Sequence, residues 1–399
     1  MNSKQDTLFI FFAMLTLALV YTASDIYLPA LPTIQTYFSA SIDQAQYTVT
    51  TYLLGWGIAQ FIAGPIIDHL GYRKILLFCI VSFIITTLIC AFSINLDLLI
   101  FARAFQSIFA GMIGVTARAS FIKRFDITRA AYLLMTLTPT IMLSTILAPI
   151  VGGYLVYSMG WRSIFIFLVL YSAVILYGTY RYFYVSEGNT NRIGLHPKAI
   201  LRTYAEILFH RPFIQCLLIN GMTIGILFTY FTEAPFIYHA AGYSAQIIGL
   251  TFIPIAAAFL LASQLNRFLY KHFSMGQLII IASFFLIAGQ ILMAAPAFYS
   301  MGLMPMTIGI TICTFGMGFS SPIAFSKAAT LFPERAGYAS SVLTALPYIF
   351  TTLLTLIVHP ICGNNVGILA LFLFVITITC VTAYCVVGSS KQNINEVVL

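Results

Sequence analysis

Residues 48–92 read TVTTYLLGWGIAQFIAGPIIDHLGYRKILLFCIVSFIITTLICAF, two apolar runs joined by a short charged loop. The second run extends from Leu76 to Phe92 and is interrupted only by small hydroxylated residues. A strand of a membrane barrel would instead alternate apolar and polar residues over about ten positions. An α-helix needs roughly 20 apolar residues to cross a bilayer. The stretch therefore predicts two membrane-spanning helices and the loop between them.

The rest of the chain repeats this pattern. Of its 399 residues 60% are apolar and only 8% are charged, whereas a soluble domain carries about 25% charged residues. Apolar runs and helix breakers predict twelve spans near residues 7–29, 45–67, 74–94, 97–118, 131–155, 161–184, 213–234, 245–266, 275–295, 302–326, 337–358 and 366–388. The predicted fold class is therefore an all-α integral membrane protein with twelve transmembrane helices and the lipid bilayer as its main solvent.

A polar segment divides these spans into two sets of six. The predicted units are an N-terminal six-helix bundle (1–184), a cytoplasmic linker (185–211) and a C-terminal six-helix bundle with a short cytoplasmic tail (212–399). The string DHLGYRK at 68–74 follows the second span, and NRFLYKH at 266–272 follows the eighth. Together with the six-plus-six layout, this faint repeat predicts two duplicated halves that move around a central site.

The positive charges predict the orientation. With the N-terminus in the cytoplasm, all but two of the 19 Lys and Arg residues fall at the inner ends of spans or in inner loops. The two exceptions are Arg103 and Arg162. Because inner loops retain Lys and Arg, both termini are predicted to be cytoplasmic. This bias explains the net charge of +8, so no nucleic-acid partner is expected.

The loop after the second span contains a spaced motif. It has the form G-x-x-x-D-x-x-G-x-[RK]-[RK], made by Gly64, Asp68, Gly71, Arg73 and Lys74. It resembles the signature loop of the major facilitator superfamily. The resemblance implies two pseudo-symmetric six-helix bundles that carry a small molecule across the membrane, mostly as single chains. A loop that only sets the topology is the alternative interpretation.

By the same resemblance, Asp68 is expected to act as a latch at the inner gate. Its partner would be the start of the eleventh span, near Gly337, together with Arg118 at the inner end of the fourth span. An acidic residue at a helix end can hold a cation or a helix N-terminus, and such a contact can break when the halves move. His69 stands where a basic residue is usual, which would soften the latch.

The fourth span carries Arg103 and Gln106 in the R-x-x-Q spacing of the superfamily. An arginine at the centre of a membrane helix costs about 2.5–3.5 kcal/mol on insertion scales, so it usually faces the bundle interior and finds a partner. Arg103 is expected to tune nearby carboxylates. The alternative is an arginine whose side chain extends to the outer surface, since Asp97 is only six residues away.

The fifth span ends in APIVGG, with Pro149, Gly152 and Gly153. This string resembles the proline and paired-glycine motif of the antiporter branches of the superfamily, with Ala148 where many relatives have glycine. Proline removes a helix hydrogen bond and glycine removes side-chain bulk, so a kinked and closely packed interface between the halves is expected. Since both residues are common in membrane helices, the motif can also be incidental.

At the end of the first span the chain reads DIYLPALP, from Asp25 to Pro32. This string resembles the first-span signature of drug:proton antiporters, in particular the bicyclomycin-resistance (Bcr/CflA) multidrug efflux branch. The resemblance extends over most of the chain, including PERAGYASS at 333–341. It implies proton-coupled efflux of a small amphipathic compound.

Apart from Asp97, the first residue of the fourth span, Asp25 and Glu233 are the two acidic residues that fall within predicted spans, and each precedes a proline by a few positions. A carboxylate shielded from water holds a proton more readily, and it can also pair with a cationic substrate. Competition between proton and substrate is the simplest physical basis for exchange. Asp25 is expected to be the main proton carrier and Glu233 a second carrier or a cation-binding group. The alternative is that both side chains lie in wet surroundings at outer helix ends.

The sequence contains no phosphate-binding lysine loop, nucleophile elbow or metal-ligand spacing, so neither an enzyme nor an ATP-driven pump is expected. No metal and no cofactor are predicted, and the energy source would be the proton gradient. The preferred hypothesis is a proton-driven exporter in a bacterial inner membrane. A dedicated metabolite, siderophore or nutrient carrier on the same fold is the first alternative, and a non-transporting membrane sensor is the second.

Overall fold

The computed structural model describes residues 3–183, 197–269, 272–297, 302–332, 336–362 and 365–389. Throughout this part the chain forms helices and the short turns that connect them. The prediction of an all-α fold is confirmed.

Seven helices precede the linker. They are α1 (Ser3–Asp25), α2 (Leu31–Tyr37), α3 (Ile42–Leu70), α4 (Tyr72–Ala91), α5 (Leu96–Arg124), α6 (Ile127–Met159) and α7 (Arg162–Tyr182). A 3₁₀ turn at Leu28–Ala30 joins α1 to α2. The first predicted span is therefore broken at its end, because Pro29 cannot donate a backbone hydrogen bond to a continuing helix.

One linker helix and seven further helices follow. They are α8 (Pro197–Leu208), α9 (Arg211–Ala240), α10 (Ala245–Leu250), α11 (Phe252–Leu269), α12 (Met275–Ala294), α13 (Met304–Leu331), α14 (Ala336–Cys362) and α15 (Val366–Ser389). Each of the twelve predicted spans coincides with a long helix or with a pair of helices in series. The eighth span is such a pair, α10 and α11.

The linker contains a helix that the sequence interpretation did not include. Helix α8 packs between the halves through Tyr204, whose hydroxyl donates to the carbonyl of Phe61 on α3 over 3.4 Å. The Tyr204 ring also meets the Tyr338 ring of α14 edge-on, with centroids 5.4 Å apart. The remainder of the predicted linker up to residue 196 lies outside the described residues.

Local signals explain where several helices begin and end. The Ser41 side chain accepts from the Gln44 backbone N–H while the Gln44 side chain accepts from Ser41, a reciprocal cap at the start of α3. At the start of α5, Asn95 accepts from Leu98 over 2.8 Å. Gly71 separates α3 from α4 with φ of 88°, a conformation that favours glycine.

By length and composition, nine helical segments within the described ranges are apolar enough to cross a membrane, and shorter apolar stretches lie at Leu143–Met159 and Val366–Thr382. Helix α3 is not among these nine segments, and it carries the buried polar residues Gln46, Thr48, Thr50 and Gln60. It packs against α5 in its own half and against α14 in the other half. Protein rather than lipid therefore surrounds much of α3, which permits its polar residues.

The two halves meet mainly along α3 with α14, α6 with α10, and α6 with α11, and α9 makes smaller contacts with α2 and α3. We call the end of the bundle where α1 begins, and where α8 and the start of α14 lie, the linker end. The opposite end, where α1, α9 and α14 finish, is called the far end.

Candidate functional site

A cavity of about 270 Å³ lies between the halves. Its N-terminal wall is polar, with Tyr21, Ser24, Asp25, Trp56, Gln60, Arg118 and Thr145. Its C-terminal wall is largely aromatic, with Phe228, Phe231, Phe252, Phe259, Phe325 and Tyr348 beside Asn220, Thr314 and Ser321. A concave, mostly apolar site with a few polar groups is typical of small-molecule binding.

Asp25 is the acidic group of this wall. It is the last residue of α1 and is 4% exposed. The Ser24 and Thr145 side chains hydrogen-bond to its carboxylate. Among the ion pairs of the described residues, none involves Asp25. The burial does not fit the alternative of a carboxylate in open, wet surroundings, and the missing counter-charge leaves Asp25 available to a proton or a cation.

Arg103 lies behind the cavity wall. Its side chain is fully buried, which excludes the alternative of an arginine that extends to the surface. The guanidinium carbon stands 4.3 Å from the Tyr27 ring centroid and 4.0 Å from that of Tyr52, so two aromatic faces stabilise the cation. One nitrogen donates to the Gln106 amide oxygen over 2.8 Å and to the Ala23 carbonyl over 3.4 Å. Arg103 therefore fixes the backbone two residues before Asp25.

Gln106 completes this buried group, because its amide nitrogen donates to Thr87 Oγ1 on α4 over 2.7 Å. The predicted R-x-x-Q pair thus connects α5 to α1 and α4. Neither residue lines the cavity, so direct contact with a substrate is not supported for either of them in this conformation.

Glu233 belongs to a separate polar group at the far end. Its carboxylate contacts His359 Nδ1 on α14, and the other ring nitrogen of His359 lies 3.3 Å from Thr50 Oγ1 on α3. Thr50 Oγ1 is also 3.4 Å from Thr355 Oγ1. We call Glu233, His359, Thr355 and Thr50 the far-end bridge, because it joins the C-terminal half to the N-terminal half.

The far-end bridge changes the interpretation of Glu233. This residue does not belong to the wall of the central cavity, so the structure does not bring it together with Asp25 as a cation-binding group there. A role as a second proton carrier stays a prediction. His359 was missed from the sequence, because it follows the predicted eleventh span by one residue and its partner Glu233 is 126 positions away.

The motif loop at 64–74 is described only in part. Arg73 donates to the Tyr180 carbonyl at the end of α7 over 2.7 Å, whereas Lys74 is exposed. A Cβ added at Gly64 would meet no neighbour within 4 Å. The Asp68 side chain lies outside the described residues, so the predicted latch stays a prediction.

Arg118, expected near that latch, is part of the cavity wall. Its Nη2 donates to the Tyr21 hydroxyl over 3.1 Å, and it lies near Gly114, one turn closer to the far end, with 3.8 Å between Nη2 and a Cβ added there. The side chain thus runs along α5 into the cavity, and its expected part in the latch stays a prediction.

The glycines of the motif on α6 are closely packed. A Cβ added at Gly152 would stand 2.0 Å from the Ile26 carbonyl oxygen, and one at Gly153 would stand 2.5 Å from the Ala245 carbonyl oxygen. From the other half, a Cβ at Gly249 would stand 2.3 Å from the Pro149 carbonyl oxygen. The absence of side chains therefore lets the two halves touch through their backbones. The link between this packing and antiport stays a prediction.

Comparison with known proteins assigns the class. The chain matches the Major Facilitator Superfamily over residues 13–355 and belongs to this superfamily of transporters. It is 28% identical over 351 residues to Multidrug resistance protein D of Escherichia coli (strain K12), covering 87% of each chain. It is 29% identical over 333 residues to Multidrug resistance protein MdtL of Salmonella paratyphi C (strain RKS4594), covering 82% of each chain.

Solved structures agree on the fold. The structure of a D-xylose-proton symporter superposes with a TM-score of 0.74 at 15% sequence identity, covering 94% of this chain and 97% of the symporter. The prediction of two pseudo-symmetric six-helix bundles is confirmed. The protein is therefore a multi-pass membrane transporter, not an enzyme, and its expected cargo is a small molecule.

Proposed function

We propose that this transporter exports a small amphipathic compound in exchange for an incoming proton, by alternating access to the central cavity. The observation that carries the proposal is Asp25, a buried carboxylate in an aromatic cavity between the halves, without an ion-pair partner among the described residues. The names of the multidrug-resistance relatives support the choice of cargo.

In this mechanism Asp25 cannot serve proton and cargo at once. A proton that enters from outside neutralises the carboxylate, which removes its attraction for a cationic group and releases the cargo. After the halves reorient, the proton leaves to the cytoplasm and the ionised carboxylate binds the next cargo molecule. Burial makes both steps energetically significant, because an ionised carboxylate without water or a counter-charge is costly.

Several groups support the cycle. Arg103 holds the end of α1 at the Ala23 carbonyl and so sets the position of Asp25. The far-end bridge keeps the halves together on one side, and we assign Asp68 to the opposite gate as a latch. Glu233, in contact with His359, would carry a second proton whose binding weakens the bridge.

We further propose that the linker end faces the cytoplasm, so that both termini lie there, and that the protein works as a monomer in a bacterial inner membrane. The basis is the asymmetric distribution of Lys and Arg, which favours a cytoplasmic linker. No cofactor takes part in the proposed cycle, since the proton gradient supplies the energy.

The test is uptake of the cationic dye rhodamine 123 into inverted membrane vesicles that are acidified inside. Wild-type protein should accumulate the dye, and Asp25→Asn should reduce accumulation to about the level of vesicles without the transporter, because the amide cannot exchange a proton. Asp97→Asn is the matched control, since Asp97 is an exposed acid in the first turn of α5. Proton-driven uptake that persists unchanged in Asp25→Asn would contradict the proposal.

A further inference from the structure

Two opposite charges face the same cavity. Asp25 and Arg118 both belong to its N-terminal wall, yet no ion pair joins them among the described residues. Tyr348, on the aromatic wall of the other half, lines the same cavity as both charges. A molecule between the walls can therefore meet both charges.

Two residues of α1 determine where the two charges lie along the cavity. Tyr21 and Asp25 are four positions apart, so they lie on one face of the helix, separated by about one helical pitch of 5.4 Å. Arg118 donates to the Tyr21 hydroxyl over 3.1 Å and forms no ion pair with Asp25 among the described residues, so the two charges stay separate. Arg118 itself lines the cavity, and within the described residues its guanidinium forms no ion pair. Hence the cation remains available to a ligand in the cavity.

We propose that the cavity prefers amphipathic zwitterions, with the cationic group of the substrate at Asp25 and its carboxylate at Arg118. This inference rests on the proposed function and narrows its substrate class. A guanidinium pairs well with a carboxylate because its N–H groups match the two oxygens. The aromatic wall of the C-terminal half, including Phe231 and Phe252, would pack against the apolar body of the substrate.

Substrates of a single charge fit this wall less well. A monocation that pairs with Asp25 extends along the cavity towards the positive charge of Arg118 and leaves that half-buried charge without a counter-ion. A simple anion that pairs with Arg118 likewise leaves the Asp25 carboxylate without a counter-ion. An uncompensated buried charge is costly, so the arrangement discriminates in favour of a molecule that carries both charges.

Two related dyes provide the test. Rhodamine 110 carries a free carboxylate beside its cationic ring system, and rhodamine 123 is its methyl ester, a monocation of nearly the same shape. Binding to purified full-length protein in detergent is measured by fluorescence anisotropy. Wild-type protein should bind rhodamine 110 about tenfold more tightly than rhodamine 123, the ratio that 1.4 kcal/mol corresponds to.

The variants locate the preference at Arg118. Arg118→Gln should weaken rhodamine 110 binding about tenfold and strengthen rhodamine 123 binding severalfold, whereas Arg118→Lys should retain part of the preference because it keeps the charge. Lys123→Gln is the matched control, an exposed cation further along α5. Thermal melting of each variant reports whether it is folded, and the wild-type ratio tests the inference even if Arg118→Gln is unstable.

The outcomes separate this inference from the proposed function. Equal binding of the two dyes by wild-type protein, no binding of either dye, or an unchanged ratio in Arg118→Gln would each overturn the zwitterion preference. Proton-driven rhodamine 123 uptake that depends on Asp25 would still stand if the two dyes bound equally or if the ratio were unchanged in Arg118→Gln. Conversely, a ratio that depends on Arg118, in a protein that drives no uptake, would support the zwitterion site and reject the exchange mechanism.

Discussion

Buried charges in membrane helices need partners, because the hydrocarbon core offers none, and three of them here are stabilised in different ways. Arg103 stands between two tyrosine rings and donates to Gln106. Glu233 contacts His359. Asp25 has hydroxyl partners and the space of a cavity, but no counter-charge among the described residues. The unequal stabilisation explains why Asp25 is the residue best suited to exchange a proton.

Sequence alone could identify Asp25, Arg103 and Glu233, since a charge inside an apolar run is conspicuous and costly. It could not identify the surroundings of each charge. His359 carries no signal of its own near the end of a span, and its contacts with Glu233 and Thr50 join positions that are far apart in the chain. The direction of the Arg118 side chain was equally hidden, because it depends on the space that α1 and α5 leave between them.

At the residue scale, His359→Gln should weaken the far-end bridge. The shorter amide cannot contact both Glu233 and Thr50, and losing a hydrogen bond to a charged group costs about 1.5–3 kcal/mol. The population open at the far end should therefore rise about tenfold or more. Spin labels at Gln44 and Ala241, in a protein without its native cysteines, would measure this opening as a longer distance component.

The control for that experiment is His239→Gln, a histidine near the end of α9 that contacts no member of the far-end bridge in the described hydrogen bonds. An unchanged distance distribution in His359→Gln would show that the bridge does not hold the far end closed.

At the scale of elements, apolar runs predicted the long helices well, because length and hydrophobicity decide what crosses a bilayer. The points at which a helix is interrupted within a predicted span were harder to predict. The 3₁₀ turn at Leu28–Ala30 and the division of the eighth span after Leu250 interrupt apolar runs that hydropathy alone treats as continuous, and α8 lies in a polar segment that shows no long apolar run. The close contact of α3 with α5 was also hidden, because Gly55 provides the space that Ser107 fills.

The glycines of α6 give a prediction about the packing of this helix against its neighbours. Gly152→Ala places a methyl group 2.0 Å from the Ile26 carbonyl oxygen, so backbones must separate, at a cost of about 1–3 kcal/mol or more. The melting temperature of the purified protein should fall, and uptake of rhodamine 123 should fall with it. Gly221→Ala, on α9, is the matched control, since a Cβ added at Gly221 would meet nothing within 4 Å. Equal melting temperatures for the two variants would contradict the backbone contact.

In the whole molecule, the two halves line the central cavity together and are joined by the far-end bridge. The six-plus-six division and the faint loop repeat predicted the halves, but no feature of the sequence could show that Asp25 and Arg118 share a wall while Glu233 lies apart. Those relations arise only when α1, α5, α9 and α14 pack together. The proposed exchange follows from this arrangement, because the one cavity offers Asp25 to a proton and to a substrate in turn.

Proton release on substrate binding tests that claim most directly. Rhodamine 123 is added to purified protein in weakly buffered detergent solution, and a pH-indicator dye reports released protons while anisotropy reports bound dye. Because the proton and the dye compete for Asp25, each bound dye should release up to about one proton at a pH where Asp25 is protonated. Asp25→Asn should release none. Dye binding by wild-type protein without proton release at any pH, or equal release from Asp25→Asn, would contradict the account.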